Sequence, residues 1–358
     1  MTLHGPLRIM RIRSCVDIRP MSHTDSKPDG VLESRRSLLK MAASLGAGAA
    51  LRGFGAAGAT LAASGAASAQ DGKVVSLGYQ KYGNFIILKT RGTLEKRLAP
   101  LGFSVRWLEF PAGPQLLEGL NANAVDIGVV GETPPVFAQA GGVDFVYIAA
   151  EPDAPRGEAL IVPKNSPIRS VAELRGKKVA CNRGSNTHYL LVKALEQGKV
   201  RYDEIQPAYL APADARAAFA NGSVDAWAIW DPYLAAAERQ LGARVLVNGE
   251  GLVRNIEYYV ARRPFAAQHP DVVHAVLDEL QQLDTWAAQN VAAVAAQLAP
   301  LTGLDTGTLE LALGRTGYGI LSVDAGRFSY QQQIADTLYE LKLIPQKLAV
   351  ADARWKNA

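Results

Sequence analysis

The chain has 358 residues and a formal net charge of +4 at neutral pH. Residues 1–69 contain nine Arg or Lys and four Asp or Glu, so residues 70–358 carry 29 basic and 30 acidic side chains. This longer part lacks the basic excess typical of nucleic-acid binding, and it is long enough for two lobes with separate cores.

The N-terminal segment has the order of features found in secretory signals. Residues 34–40 (SRRSLLK) are followed by an Ala- and Gly-rich stretch, and residues 67–69 (ASA) offer the small side chains of a cleavage site. The paired arginines indicate a twin-arginine signal. A retained membrane helix is the alternative, but Arg52 and many glycines interrupt the roughly 20 apolar residues that a span needs. We expect a periplasmic protein, cleaved near Ala69.

After residue 70, short apolar runs alternate with helical stretches. Strands are predicted at residues 73–79, 103–108 and 126–130, and the first helix at residues 85–98. This alternation predicts an α/β fold with helices on both faces of a sheet.

A similar strand-to-helix pattern occurs twice, at residues 125–134 and again at residues 224–232. In both copies Val-Asp opens an apolar strand, an acidic residue follows, and Pro starts the next helix. The repetition suggests two lobes of similar structure.

The lobes are predicted to be joined by two extended segments, residues 158–163 and 256–261. Residues 70–163 then form the first part of lobe 1, residues 164–253 form lobe 2, and residues 254–358 form the second, mainly helical part of lobe 1. Such paired crossings make a hinge, and the ligand is then expected in the cleft between the lobes.

Strand-to-helix turns hold the candidate site residues, because ligands of α/β folds bind where strands end. The third of four such turns carries Ser185, Asn186 and Thr187 directly before a helix expected at Tyr189. A helix start offers unpaired N–H groups and a partial positive charge, which together bind oxyanions. Simple capping is the alternative, but one capping residue would suffice.

The other turns add an amide, an indole and two carboxylates. Gln80 can donate to an oxyanion, and Trp230 offers an apolar wall with an N–H group. Trp227, on the opposite face of the same strand, is predicted to lie in the core. Glu132 and Asp231 form a possible acid–base pair. Because Asp before Pro is typical of a helix start, we interpret both carboxylates as structural or as partners of a ligand amine.

Cys181 keeps a second function class open. It is the one cysteine after residue 69 and is predicted at a strand end beside the third turn, so a desulfinase-like enzyme is the alternative. Free cysteines are nevertheless among the most buried residues. No two of His188, His269 and His274 share a helical face together with a carboxylate at ligand spacing, so no metal or other cofactor is expected.

Longer blocks of the sequence resemble the aliphatic sulfonate-binding proteins of ABC importers, within the wider taurine/sulfonate/nitrate-binding group. The blocks are residues 78–81, 109–118, 135–140, 212–219 and 228–237. The resemblance implies a two-lobed periplasmic-binding-protein fold of the second type. It also implies a protein that closes on a small sulfonate and docks onto the ABC permease membrane subunits for sulfur acquisition. A monomer suits both steps.

The candidate ligand-binding residues follow from this resemblance together with the turns. They are Gln80, Gly131, Glu132, Thr133, Ser185, Asn186, Thr187, Trp230 and Asp231. Glu-Thr at residues 132–133 and Asn-Thr at residues 186–187 stand where the resemblance implies Asp-Ala and Ser-Val. We therefore expect a different preferred ligand tail. Nitrate, taurine and a pyrimidine precursor remain alternative ligands.

Overall fold

The computed structural model describes residues 73–81 and 83–356. The predicted signal at residues 1–69 and its cleavage site lie outside these residues. Within the described part of the chain, no helix is long and apolar enough to cross a membrane.

The described residues form ten strands and twelve α-helices. The strands are β1 Lys73–Tyr79, β2 Phe103–Glu109, β3 Ile127–Gly131, β4 Phe145–Ala150, β5 Glu158–Val162, β6 Lys178–Cys181, β7 Gln206–Tyr209, β8 Ala226–Trp230, β9 Arg244–Asn248 and β10 Glu257–Arg262. The helices are α1 Asn84–Arg91, α2 Thr93–Leu98, α3 Gly113–Asn121, α4 Pro134–Ala140, α5 Asn186–Gln197, α6 Pro212–Ala220, α7 Tyr233–Leu241, α8 Arg263–Gln268, α9 Pro270–Gln289, α10 Val291–Thr302, α11 Thr306–Leu313 and α12 Ala325–Glu340.

The two sheets have the same topology. The first has the strand order β2-β1-β3-β10-β4 and the second the order β7-β6-β8-β5-β9. One strand of each sheet, β10 or β5, runs antiparallel to both of its neighbours. The strands of the repeated sequence pattern, β3 and β8, take the same central place in the two sheets. The predicted α/β fold with two lobes is confirmed.

The crossings between the lobes differ in position from the predicted ones. Residues 158–163 are predicted to lead out of the first lobe, yet β5 pairs with β8 and β9 inside the second sheet. All five residues of β5 are buried, which an exposed linker would not be. The chain therefore crosses at residues 151–157 and returns at residues 249–256, so the second lobe begins before residue 164.

Three helices of the structure also differ from the predicted ones in where they begin or how far they extend. The helix predicted at residues 85–98 is divided into α1 and α2 at Gly92. This residue has a φ of +61°, a left-handed conformation that glycine adopts easily and that ends a helix. The third-turn helix begins at Asn186, three residues before Tyr189. The fourth-turn helix begins at Tyr233, and Pro232 is its N-cap residue rather than its first helical residue.

Each sheet has a hydrophobic core on both of its faces. Helix α9 packs against α1 and α2 in the first lobe, and its Val272, Val276 and Leu280 are fully buried in the core. Trp227 is 1% exposed in a core of the second lobe, as predicted, and Cys181 is fully buried in the other core of that lobe. The cores leave the carboxyl ends of β1, β3, β6 and β8 to line the cleft.

Candidate functional site

The cleft between the lobes holds two neighbouring cavities that share Gln80 and Trp230. The smaller has a volume of about 20 Å³, enough for one water molecule. The larger has a volume of about 260 Å³. The smaller cavity is lined by Gln80, Gly113, Gly131, Pro134, Ser185, Asn186, Trp230 and Glu257. Five of the nine predicted residues therefore meet at one place, whereas Glu132, Thr133, Thr187 and Asp231 line neither cavity.

The third turn is held in shape by its own hydroxyl groups. Ser185 Oγ donates to the Asn182 carbonyl at 2.7 Å, so the Thr187 hydroxyl donates to Ser185 Oγ at 3.0 Å. The Gly184 N–H, in a residue with φ of +77°, donates to Nδ1 of His188 at 3.2 Å. The Ser185 proton is thus already used, and the donors available to an anion are the backbone N–H groups that begin α5.

Asn186 joins the two lobes through its side-chain amide. Its Oδ1 accepts from the Thr133 N–H at 3.1 Å, and its Nδ2 donates to Asn255 Oδ1 at 2.7 Å. A Cβ atom at Gly131 would overlap this carboxamide. Position 131 therefore requires glycine because the two turns approach each other closely.

The second turn supplies fewer donors than the sequence suggested. Helix α4 begins with Pro134 and Pro135, which have no N–H group, and the Val136 N–H is bonded to the Thr133 carbonyl. The remaining donor, the Thr133 N–H, is held by Asn186. The hydroxyl of Thr133 is buried without a hydrogen-bond partner among the described residues.

Glu132 has a structural role in this arrangement. Its carboxylate accepts the Ile256 N–H at 2.9 Å and the Tyr330 hydroxyl at 3.0 Å. Burial raises the pKa of Glu132 to about 7. The side chain ties the second turn to the returning crossover, so it is not free to bind a ligand amine.

Asp231 is also engaged inside the protein. Its Oδ1 accepts the Ala235 N–H at 2.9 Å, and Arg315 lies 3.5 Å from Oδ2. Burial raises the pKa of Asp231 to about 7, opposed by the Arg315 charge. Arg315 also pairs with Glu238 at 2.7 Å, so these contacts join the loop after α11 to α7. The acid–base interpretation of Glu132 and Asp231 finds no support in this geometry.

Two carboxyl groups at the junction were missed by the sequence analysis. Glu257 lines the smaller cavity, and burial together with the charge of Glu132 raises its pKa to about 8. Glu158 is fully buried, and neither of its carboxyl oxygens has a partner among the described residues. Glu158 is the first residue of β5 and Glu257 the first residue of β10, and each strand follows a crossing between the lobes. An acidic residue at the start of an apolar strand is the sequence feature that could have identified them.

The larger cavity has an aromatic and a charged side. Trp230 and Tyr233 pack edge to face with ring centroids 6.4 Å apart, and Phe110 also contributes to the wall. Lys81 and Glu109 form an ion pair of 3.7 Å at the same cavity, with each side chain nearly half exposed. Such a cavity accepts an apolar or ring-shaped group more readily than a second charge.

Cys181 is unsuited to nucleophilic chemistry in this position. It is fully buried, and burial raises the pKa of its thiol to about 12. A thiol must ionise to attack, and reactive cysteines are partly exposed in electropositive surroundings. Among the described residues, no group of three or more His, Cys, Asp or Glu is arranged to hold a metal ion.

Three carboxyl groups with raised pKa values predict that stability falls as pH rises. Glu132, Glu158 and Glu257 bind protons more strongly in the folded than in the unfolded chain, so the free energy of unfolding decreases between pH 6.5 and 8.5. Burial lowers the pKa of His188 to about 4. Its ionisation therefore changes the stability mainly at pH values below the range that is measured, so it does not mask this effect.

Urea unfolding at pH 6.5 and pH 8.5 measures the effect. We expect Glu158→Gln to reduce the difference in the free energy of unfolding between the two pH values, since it removes one buried ionisation. The exposed Glu310→Gln serves as the control and leaves the difference unchanged. An unchanged pH dependence in Glu158→Gln contradicts the assignment of this carboxyl.

Comparison with known proteins reveals similarity over most of the chain. A family model described as the NMT1-like family matches residues 69–301. A relative from Escherichia coli (strain K12), named for binding aliphatic sulfonates, is 42% identical over 286 residues, which cover 79% of this chain and 89% of the relative.

Two solved structures share both the fold and much of the sequence. The alkanesulfonate-binding protein SsuA from Xanthomonas axonopodis pv. citri, bound to MOPS, has a TM-score of 0.76 and 38% identity over 79% of this chain and 98% of that chain. The periplasmic aliphatic sulphonate binding protein SsuA from Escherichia coli has a TM-score of 0.72 and 42% identity over 80% and 98% of the two chains.

These relatives are binding proteins, so they give no support to the desulfinase-like alternative. The family model covers well over half of the chain, and the relative at 42% identity is matched over most of its own length. The chain therefore belongs to the NMT1-like family and, within it, to the aliphatic sulfonate-binding proteins.

Proposed function

We propose that this chain is the periplasmic solute-binding component of an ABC importer. It binds an aliphatic sulfonate between its lobes and delivers the ligand to the membrane permease for sulfur acquisition. The observation that carries the proposal is the meeting of Gln80, Ser185 and Trp230 around one cavity between the lobes. Relatives with about 40% identity over nearly their whole length are named for sulfonate binding, which supports the same ligand class.

The small cavity has the donors that a sulfonate head requires, and it widens beyond its volume of about 20 Å³ when the head enters. A sulfonate is ionised at every physiological pH, and its three oxygens accept hydrogen bonds only. The start of the twelve-residue helix α5 offers backbone N–H groups and the positive end of the helix dipole. Gln80 keeps one amide hydrogen beyond its 3.3 Å bond to the Val129 carbonyl, and Trp230 adds an indole N–H.

The larger cavity accommodates the organic part of the ligand. It adjoins the small cavity through Gln80 and Trp230, so a head in one places the tail in the other. Phe110 and Tyr233 give this space apolar walls. The sulfonate tail is therefore buried mainly by aromatic contacts, and its size decides which sulfonate is preferred.

Delivery requires export and a conformational change. The signal in residues 34–40 routes the chain to the periplasm by the twin-arginine pathway, with cleavage near Ala69. The lobes close about the crossings at residues 151–157 and 249–256 when the anion joins groups from both sides. The closed monomer then docks onto the permease subunits.

A titration against a ligand panel tests this function. The purified protein, freed of copurified ligand by unfolding and refolding, is titrated calorimetrically with alkanesulfonates, taurine, sulfate and nitrate. We expect micromolar or tighter binding to a sulfonate, and no sulfite in the sample afterwards. Binding of nitrate but of no sulfonate would overturn the ligand assignment, and release of sulfite would show an enzyme.

A negative charge at Ser185 should abolish the head-group site. Ser185→Asp keeps a good N-cap residue for α5 but places a carboxylate beside the sulfonate, so we expect the affinity to fall at least about a hundredfold. Ser185→Asn is the matched control, because it has a similar size without the charge. Equal affinities for the two variants, measured by calorimetry, contradict this placement of the head.

Trp230 should report ligand binding by fluorescence. Its ring borders both cavities, whereas Trp286 packs on Arg91 at 3.9 Å, on a helix of the first lobe. We expect Trp230→Phe to remove most of the ligand-induced change in emission and Trp286→Phe to retain it. A full signal in Trp230→Phe would refute the placement of the ligand against this indole.

A further inference from the structure

Glu257 occupies a position in the cleft that no sequence motif indicated. It begins β10 and lies opposite Gly131 in the antiparallel register with β3. Its backbone carbonyl accepts the Glu151 N–H at 2.8 Å, which holds the residue at the end of the returning crossover. Its side chain lines the small cavity together with Gln80 and Ser185. Among the described residues, no hydrogen bond involves the Glu257 carboxyl group.

The surroundings of Glu257 are strongly acidic. Glu158, from the second lobe, and Glu132, from the first, both lie close enough to interact with it electrostatically. The guanidinium of Arg254 is paired with Asp153 at 2.6 Å. The titratable and charged groups around this junction are Glu132, Glu151, Asp153, Glu158, Arg254 and Tyr330.

A carboxylate at this point would oppose both the fold and the ligand. Glu257 is partly buried, and its ionised form would add a negative charge beside the buried Glu132 and Glu158, which is costly without a paired cation. It would also lie beside a permanently negative sulfonate head. A carboxylic acid has neither disadvantage, because it is neutral and its O–H group is a donor. The pKa of about 8 makes this the main form at neutral pH.

We propose that Glu257 binds the sulfonate head as a carboxylic acid and donates its O–H hydrogen to a sulfonate oxygen. The inference rests on the proposed function, since it concerns the same site. No covalent bond to the ligand forms or breaks. When the carboxyl is ionised in the free protein, its proton comes from the solvent as the ligand binds, so binding is coupled to proton uptake.

This coupling has a quantitative consequence. A sulfonate has no titration in the working range, so the pH dependence of affinity reports the protein alone. With a free-protein pKa of about 8, we expect constant affinity from pH 6 to 7 and about tenfold weaker binding at pH 9. Proton uptake should be near zero at pH 6, about 0.5 per ligand at pH 8 and about 0.9 at pH 9.

Calorimetric titration with 1-butanesulfonate at constant ionic strength measures both quantities. The buffers are Tris, imidazole and bis-tris propane, because sulfonate buffers such as MOPS would compete for the site. The dependence of the observed enthalpy on the buffer ionisation enthalpy yields the number of protons taken up. Glu257→Gln is the key variant, since its amide is always a donor and never ionises. It should bind with similar affinity at pH 6 and show neither pH dependence nor proton uptake.

Glu158→Gln separates Glu257 from its acidic neighbour. Burial and Glu132, not Glu158, raise the pKa of Glu257, so this variant should keep the pH dependence of binding with the same midpoint. The proposal is overturned if wild-type affinity is independent of pH, if Glu257→Gln keeps the wild-type proton uptake, or if Glu257→Gln binds more tightly at every pH. A failure of every sulfonate to bind at any pH would instead overturn the proposed function and this inference together.

Discussion

The hydrogen bonds of the Asn186 carboxamide hold the centre of the molecule together. This side chain bonds the Thr133 N–H of the first lobe and the Asn255 amide of the returning crossover. Asn255 in turn donates to the Ala154 carbonyl of the outgoing crossover at 2.9 Å. One chain of amide contacts therefore joins the start of α5, the turn after β3 and both crossings. Because these groups are buried, each lost bond would leave an unsatisfied polar atom.

Around this junction, the nearby cations in the described part of the chain are already paired. Arg254 pairs with Asp153, Arg315 with Glu238, and Lys81 with Glu109 at the larger cavity. What remains toward the cavity is a set of neutral donors and the start of a helix. Directed dipoles of this kind stabilise an anion without the desolvation cost of a second full charge. A carboxylic acid follows the same principle, since it donates a hydrogen bond while it remains neutral.

The departures from the family pattern have unequal consequences. At positions 132 and 133, the Glu132 carboxylate points to the returning crossover and the Thr133 side chain lines neither cavity. Asn186 does line the small cavity, and it occupies the Thr133 N–H that would otherwise face the cleft. Asn186 is therefore the departure that lies at the small cavity, whereas Glu132 determines the shape of the turn.

The sequence by itself determined most of the local structure. The apolar runs located β1, β2 and β3 within one residue, and the Gly, Ser and Pro residues of the turns located the ends of strands at which the cavities lie. These features depend on neighbours in the chain, such as side-chain alternation and backbone dihedral preference. The buried Trp227 followed from the same alternation.

Only the tertiary structure decided which residues share a cavity. Glu158 and Glu257 are 99 positions apart in the chain and approach each other because both crossings end at one junction. The place of β5 in the second sheet likewise depends on pairing with β8 and β9, which no local pattern encodes. The sequence suggested that the Ser185 hydroxyl is a free donor, but in the folded turn it donates to the Asn182 carbonyl. Burial and hydrogen-bond competition depend on the surroundings in space, and these arise only when distant segments pack together.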